Sequence, residues 1–142
     1  MWCNHILVAF DGSEESEAAL KLAVDIALEN PSVEVSLIHA LLEVNVLSAG
    51  IGGFVAMENE LADEAAEYEK HLHQVAAMLP NTTHVQVVKG FSPAEILLTY
   101  AAKNNVDTII MGSRGKGGFI GYLGSASLTV AQKFEGQLLI AK

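Results

Sequence analysis

A chain of 142 residues and 15.1 kDa fits one domain, spanning residues 1–142, and is too short for two of ordinary size. Apolar residues make up 51% of it and the mean hydropathy is +0.33, which excludes a disordered chain and leaves ample material for a core. Eight Lys and Arg against seventeen Asp and Glu give a net charge of −9, which argues against a general role on nucleic acid or on an anionic membrane surface.

Cys3 is the only cysteine, so neither a disulfide within the chain nor a Cys-based zinc site is expected. A cytoplasmic location is the expectation from that composition. The first ten residues hold no Lys or Arg and run straight into Asp11, unlike a signal peptide. Residues 6–10 form a continuous apolar run without alternation, which predicts a strand covered on both faces. Asp11-Gly12-Ser13-Glu14-Glu15-Ser16 then supplies a turn, capping side chains and an acidic first turn. Ala19, Leu22, Ala23 and Ile26 follow at helical spacing as far as Asn30-Pro31. Residues 33–39 read as a second strand.

Residues 41–57 carry Ser48, Gly50, Gly52 and Gly53 among apolar side chains with little charge, and this composition predicts a mobile loop. Its charge-free part, residues 44–57, is long enough to fold over a ligand or to offer an apolar surface to a partner protein. Residues 58–79 form an amphipathic helix with Leu61, Ala65, Tyr68, Leu72, Val75 and Leu79 on one stripe, stopped by Pro80-Asn81. Residues 84–89 are a third strand. Ser92-Pro93-Ala94-Glu95 is a capping box with proline at the first helical position. That helix buries Ile96, Leu97 and Tyr100 and runs to Asn104-Asn105. Residues 107–111 make a fourth strand, residues 112–124 a glycine-rich loop, and residues 125–134 a last helix ended by Gly136. Residues 137–141 are a fifth strand. No charge-free run reaches the roughly 18 residues that a membrane span needs.

Strands and helices in strict alternation point to an α/β domain with a single open parallel sheet and helices on both faces. In such sheets ligands bind beyond the carboxyl ends of the strands, where the strand order reverses. Two segments fall at such ends: Asp11-Gly12 after the first strand, and the loop from Gly112 to Ser125 after the fourth. The loop holds six of the twelve glycines, and Ser125 opens a helix whose N-terminus favours negative charge. Residues 108–134 contain no Asp or Glu, yet they hold Arg114, the only arginine, with Lys116 and Lys133. An acidic chain that clears its carboxylates from one helix entrance has the makings of an anion site there. Neither a Walker A loop nor Gly-x-Gly-x-x-Gly after the first strand is present.

Gly112, Gly115 and Gly124-Ser125, with the opening Ile6-Leu7-Val8-Ala9-Phe10-Asp11-Gly12-Ser13-Glu14, resemble the universal stress proteins. The nucleotide-binding members of that family carry Gly-x2-Gly-x9-Gly-[Ser/Thr] after the fourth strand. Here the last spacer has eight residues, 116–123, instead of nine. The resemblance spans the chain and implies a Rossmann-like sheet of order 3-2-1-4-5. It further implies a homodimer joined through the last strand, Gln137–Ala141, and ATP as ligand.

Carried over by position, Asp11 would meet the ribose hydroxyls or a nucleotide-bound Mg2+. Ala9 and Ala40 would flank adenine, and Met111 and Gly112 would line the ribose side. Gly115, Gly124, Ser125 and Ala126 would hold phosphates. Arg114 and Lys116 join the set on charge alone. The role so implied is a stress-response sensor or regulator that acts on a protein partner. The alternatives are a nucleotide-free dimeric interaction module, which the short spacer supports, and a slow ATPase. His71 and His73 point to different sides of their helix and share no metal. His39 reads as a satisfied buried imidazole, while His5 and His84 open strands without an evident partner. The acidic run from Glu58 to Glu67 reads as solvated surface.

Overall fold

The computed structural model describes residues 2–43, 46–114 and 123–142, with the backbone alone for residues 46–49. Five parallel strands form the sheet: β1 (His5–Ala9), β2 (Glu34–Leu42), β3 (Thr83–Gly90), β4 (Thr108–Gly112) and β5 (Gln137–Ala141). Their spatial order is β3-β2-β1-β4-β5, the order that the family resemblance implies. The helices are α1 (Glu14–Glu29), α2 (Val46–Ala77), α3 (Pro93–Lys103) and α4 (Ser125–Lys133).

The absence of polar alternation in β1 follows from its central place. Ile6 and Val8 join Val35, Leu37 and Ile110 on one face, packed against Ala19, Leu20 and Ala23 of α1 and Leu72 and Val75 of α2. Leu7 joins Ile38, Ile109 and Met111 on the other, against Leu97 and Tyr100 of α3 and Val130 of α4. Ile6, Leu7 and Val8 are wholly buried, and each such side chain removed from water contributes about 1.5–3 kcal/mol. Two cores, one on each face, clamp the strand whose carboxyl end opens at the reversal of strand order.

Local chemistry sets the helix starts. Ser13 caps α1 by accepting the Ser16 backbone N–H at 3.1 Å, and Ser92 caps α3 by accepting that of Glu95 at 3.4 Å. Buried Asn81 ties the end of α1 to the start of β2, its side-chain amide donating to the carbonyls of Ala27, Asn30 and Val33 at 2.8–3.1 Å.

Two expectations are corrected. The loop expected at residues 41–57 is instead the end of β2, which runs to Leu42, followed by helix from Val46 onward. The helix is interrupted at Gly50 (φ 72°, ψ 168°), and Val44 and Asn45 lie outside the described residues. Leu47 and Ala49 before the glycines and Ala56 and Met57 after them favour helix enough to outweigh them, and only Gly50 leaves helical geometry. His5 and His84, expected to be without partners, both have them. His5 Nε2 lies 2.8 Å from Ser36 Oγ, which lies 2.9 Å from the Tyr100 hydroxyl, and His84 Nε2 lies 2.7 Å from Glu34 Oε1. These are contacts between strands and between sheet and helix, which a linear reading does not pair.

Candidate functional site

The site begins where β1 ends. The Phe10 N–H donates to the Ile38 carbonyl at 2.9 Å, carrying the extended chain one residue past β1. Asp11 then turns it: its Oδ1 accepts the Ser13 N–H at 3.0 Å, and Gly12 takes φ +82°. A side chain at Gly12 would be strained, and its Cβ would stand 2.5 Å from Tyr68 Cζ, because the Tyr68 ring from α2 lies against this turn. Tyr68 also meets Phe10 edge-on at 5.5 Å and His39 at 5.0 Å between ring centroids, forming one aromatic wall. His39 is buried, as expected, with Nδ1 2.8 Å from the Phe10 carbonyl, and it is also among the residues lining the cavity.

The opposite wall is the end of β4 and the start of α4. The Ser113 carbonyl accepts both the Gly124 N–H and the Ser127 hydroxyl at 2.8 Å, so α4 begins against the end of β4. Gly124 occupies the N-cap of α4 with no side-chain capping bond, so the N-cap residue itself offers the first-turn N–H groups no side-chain acceptor. Gly112 serves a packing need: a Cβ there would stand 2.6 Å from Glu15 Cβ and 3.0 Å from the Glu15 carbonyl carbon. The bare backbone lets the first turn of α1 press on β4, and Glu15 Oε1 reaches 2.6 Å from an Arg114 guanidinium nitrogen.

Between these walls lies a cavity of about 610 Å3. Ala9, Asp11, Ala40, Met111, Gly112, Arg114, Gly124, Ser125 and Ala126, singled out from the sequence, all line it. Gly115 and Lys116, from the same set, lie outside the described residues. Apolar lining comes from Ile38, Leu41, Leu61 and Leu97. Leu61, Glu64 and Tyr68 also line it, although the sequence placed them on a core stripe and an acidic surface. Their spacing of three and four residues marks one helix face. Nothing in the sequence shows that this face crosses the ends of the strands.

Among the described residues no group of three or more His, Cys, Asp or Glu could hold a metal ion. Likewise no described helix is long and apolar enough to cross a membrane. At the opposite end of the sheet, burial pushes the Asp107 carboxyl up. Hydrogen bonds from the Asn4 and His5 N–H groups, the Thr108 hydroxyl and the Asn4 amide outweigh that and hold it below the ordinary carboxylate range. Burial also raises the Cys3 thiol.

Comparison with known proteins places this architecture. The model of the universal stress protein family matches residues 3–142. Universal stress protein YxiE of Bacillus subtilis (strain 168) is 32% identical over 149 residues, covering 98% of this chain and 99% of that protein. Among solved structures, the protein MJ0577 superposes with a TM-score of 0.84 at 28% identity, covering 100% of this chain and 97% of its own. Universal stress protein UspA from Lactobacillus plantarum reaches the same TM-score at 21% identity, covering 100% and 99%, a likeness of fold. With the family matched along nearly its whole length and the sheet order in agreement, this chain belongs to the universal stress protein family.

Proposed function

We propose that the cavity at the carboxyl ends of β1, β2 and β4 binds an adenine nucleotide, ATP among them, and that the bound nucleotide modulates a stress-response regulator. The observation that carries this reading is the pairing of an apolar slot with a helix start whose N-cap is a glycine. The slot, walled by Ile38, Leu41, Leu97 and Met111, suits a purine, and Gly124, Ser125 and Ala126 open α4 toward the same space. Asp11 lines the same cavity and would meet the ribose hydroxyls. Mg2+ would come with the nucleotide, held by its phosphates and at most this carboxylate, in keeping with the usual reluctance of Mg2+ to shed water. Solved proteins of this fold are described in complex with cAMP, with AMP bound and in complex with dAMP, which supports the adenine reading.

The proposal includes a cytoplasmic homodimer joined through β5, whose half-exposed Leu138, Leu139 and Ile140 sit on a strand paired only with β4 among the described strands. It includes a protein partner as well. Ile51 and Val55, four residues apart on α2, are 79% and 50% exposed, an apolar surface of the kind that proteins cover.

The test is to denature freshly purified protein, separate whatever is released by chromatography, and titrate the stripped protein with adenosine, AMP and ATP, with and without Mg2+. Released adenine nucleotide, or micromolar binding that Ser125→Ala weakens, supports the reading. No binding of any of the three at millimolar concentration overturns it, and the exposed face of α2 becomes the seat of function.

A further inference from the structure

Arg114 is the only lysine or arginine among the described residues that line the cavity, and Asp11 and Glu64 line it too. The Arg114 side chain is 22% exposed and its partner Glu15 12%, with 2.6 Å between guanidinium nitrogen and carboxylate oxygen. An ion pair so sheltered is screened less than a surface pair. Two features hold Glu15 there. It stands in the first turn of α1, where the helix dipole favours an anion, and Gly112 lets that turn lie close against β4. The cation that faces the cavity is thus already occupied by a carboxylate of its own chain.

We propose that Glu15 is a built-in competitor for the ligand phosphate: a nucleotide must displace it from Arg114, and the pair thereby sets how the site ranks adenosine against AMP and ATP. This inference rests on the adenine-nucleotide reading above. The chemistry is an exchange of one anion for another on a planar guanidinium, whose donors suit carboxylate and phosphate alike. The released carboxylate stays on the first turn of α1, close to the incoming phosphate, and repels it. Adenosine has no phosphate and neither breaks the pair nor feels the repulsion. Glu15 therefore lowers affinity for phosphate-bearing ligands selectively, and more for ATP than for AMP. A nearby charge that leaves a partly buried Arg produces an effect on the order of tenfold.

Glu15→Gln keeps the shape and removes the charge. Glu14→Gln, at the exposed neighbouring position in the same helical turn, removes the same charge without touching Arg114. Calorimetric titration of wild type, both variants, Arg114→Gln and the Arg114→Gln/Glu15→Gln double variant with adenosine, AMP and ATP reads the effect. The expected result is a gain of about tenfold for AMP and ATP in Glu15→Gln, an unchanged adenosine affinity, and a clearly smaller gain when Arg114 is absent, where only the direct repulsion is relieved. In the unaltered protein, the Arg114 side-chain N–H resonance shifts when AMP is added and stays in place with adenosine. Equal gains in Glu14→Gln and Glu15→Gln, a parallel rise for adenosine, or a gain undiminished by Arg114→Gln would overturn the proposal while leaving the adenine site standing. Failure of wild type to bind any of the three ligands overturns the adenine reading, and this inference with it.

Discussion

Replacing Gly12 with alanine strikes the turn that joins β1 to α1, and its cost can be worked out from two independent parts. The backbone holds φ +82°, where any Cβ costs about 1 kcal/mol. The new methyl would also lie 2.5 Å from Tyr68 Cζ and 2.7 Å from Cε1, so the ring must swing aside. Its edge-on contact with Phe10 at 5.5 Å and its contact with His39 at 5.0 Å are then lost, together about 2 kcal/mol. The expected destabilisation is about 3 kcal/mol in urea unfolding of Gly12→Ala. In a Tyr68→Ala background the ring is gone, and the same change costs only the backbone part, about 1 kcal/mol. Because Tyr68 lines the cavity, adenosine affinity falls in both single variants. Equal costs of Gly12→Ala in the two backgrounds would refute the argument, since they would mean that Tyr68 does not press on the turn.

Gly112→Ala meets backbone as well as side chain, with Cβ 3.0 Å from the Glu15 carbonyl carbon and 3.2 Å from the Ser16 nitrogen, so α1 itself must retreat from β4. A loss of about 2 kcal/mol is expected in urea unfolding, and an unchanged midpoint would show that α1 is not seated against Gly112. Asp107 makes stability depend on acid. Its folded pKa is depressed, so its contribution is present above the ordinary carboxylate value, near pH 4, and is lost as pH falls through the folded value. Asp107→Asn should flatten the acid limb of a stability–pH profile below about pH 4 while leaving the slope near neutrality unchanged. A profile as steep as that of wild type would remove Asp107 from the account.

Much of the fold was legible in the sequence because its signals are local. Ser13 and Ser92 announce helix starts through side chains that reach only three residues. The unbroken apolar run of β1 is possible only for a strand with both faces covered. The glycine pattern around Gly112 and Gly124-Ser125, with Asp11 after the first strand, pointed to one end of the sheet, and the described residues of that set do line one cavity. Residues 46–57 misled because composition weighs glycine as a breaker wherever it stands, whereas only Gly50 departs from helical geometry.

What the sequence determined by itself was therefore the alternation of elements, the class of sheet and the neighbourhood of the site, each encoded in spacing over a few residues. Only the tertiary structure decided which side chains meet across long separations. Tyr68 comes from a stripe read as core to lie over Gly12, and Glu15 meets Arg114 although the two stand far apart in the sequence. His5, Ser36 and Tyr100 join from two strands and a helix. Such contacts depend on which strands are neighbours and how closely a helix can approach them. Those are properties of the packed sheet, and no periodicity along the chain carries them.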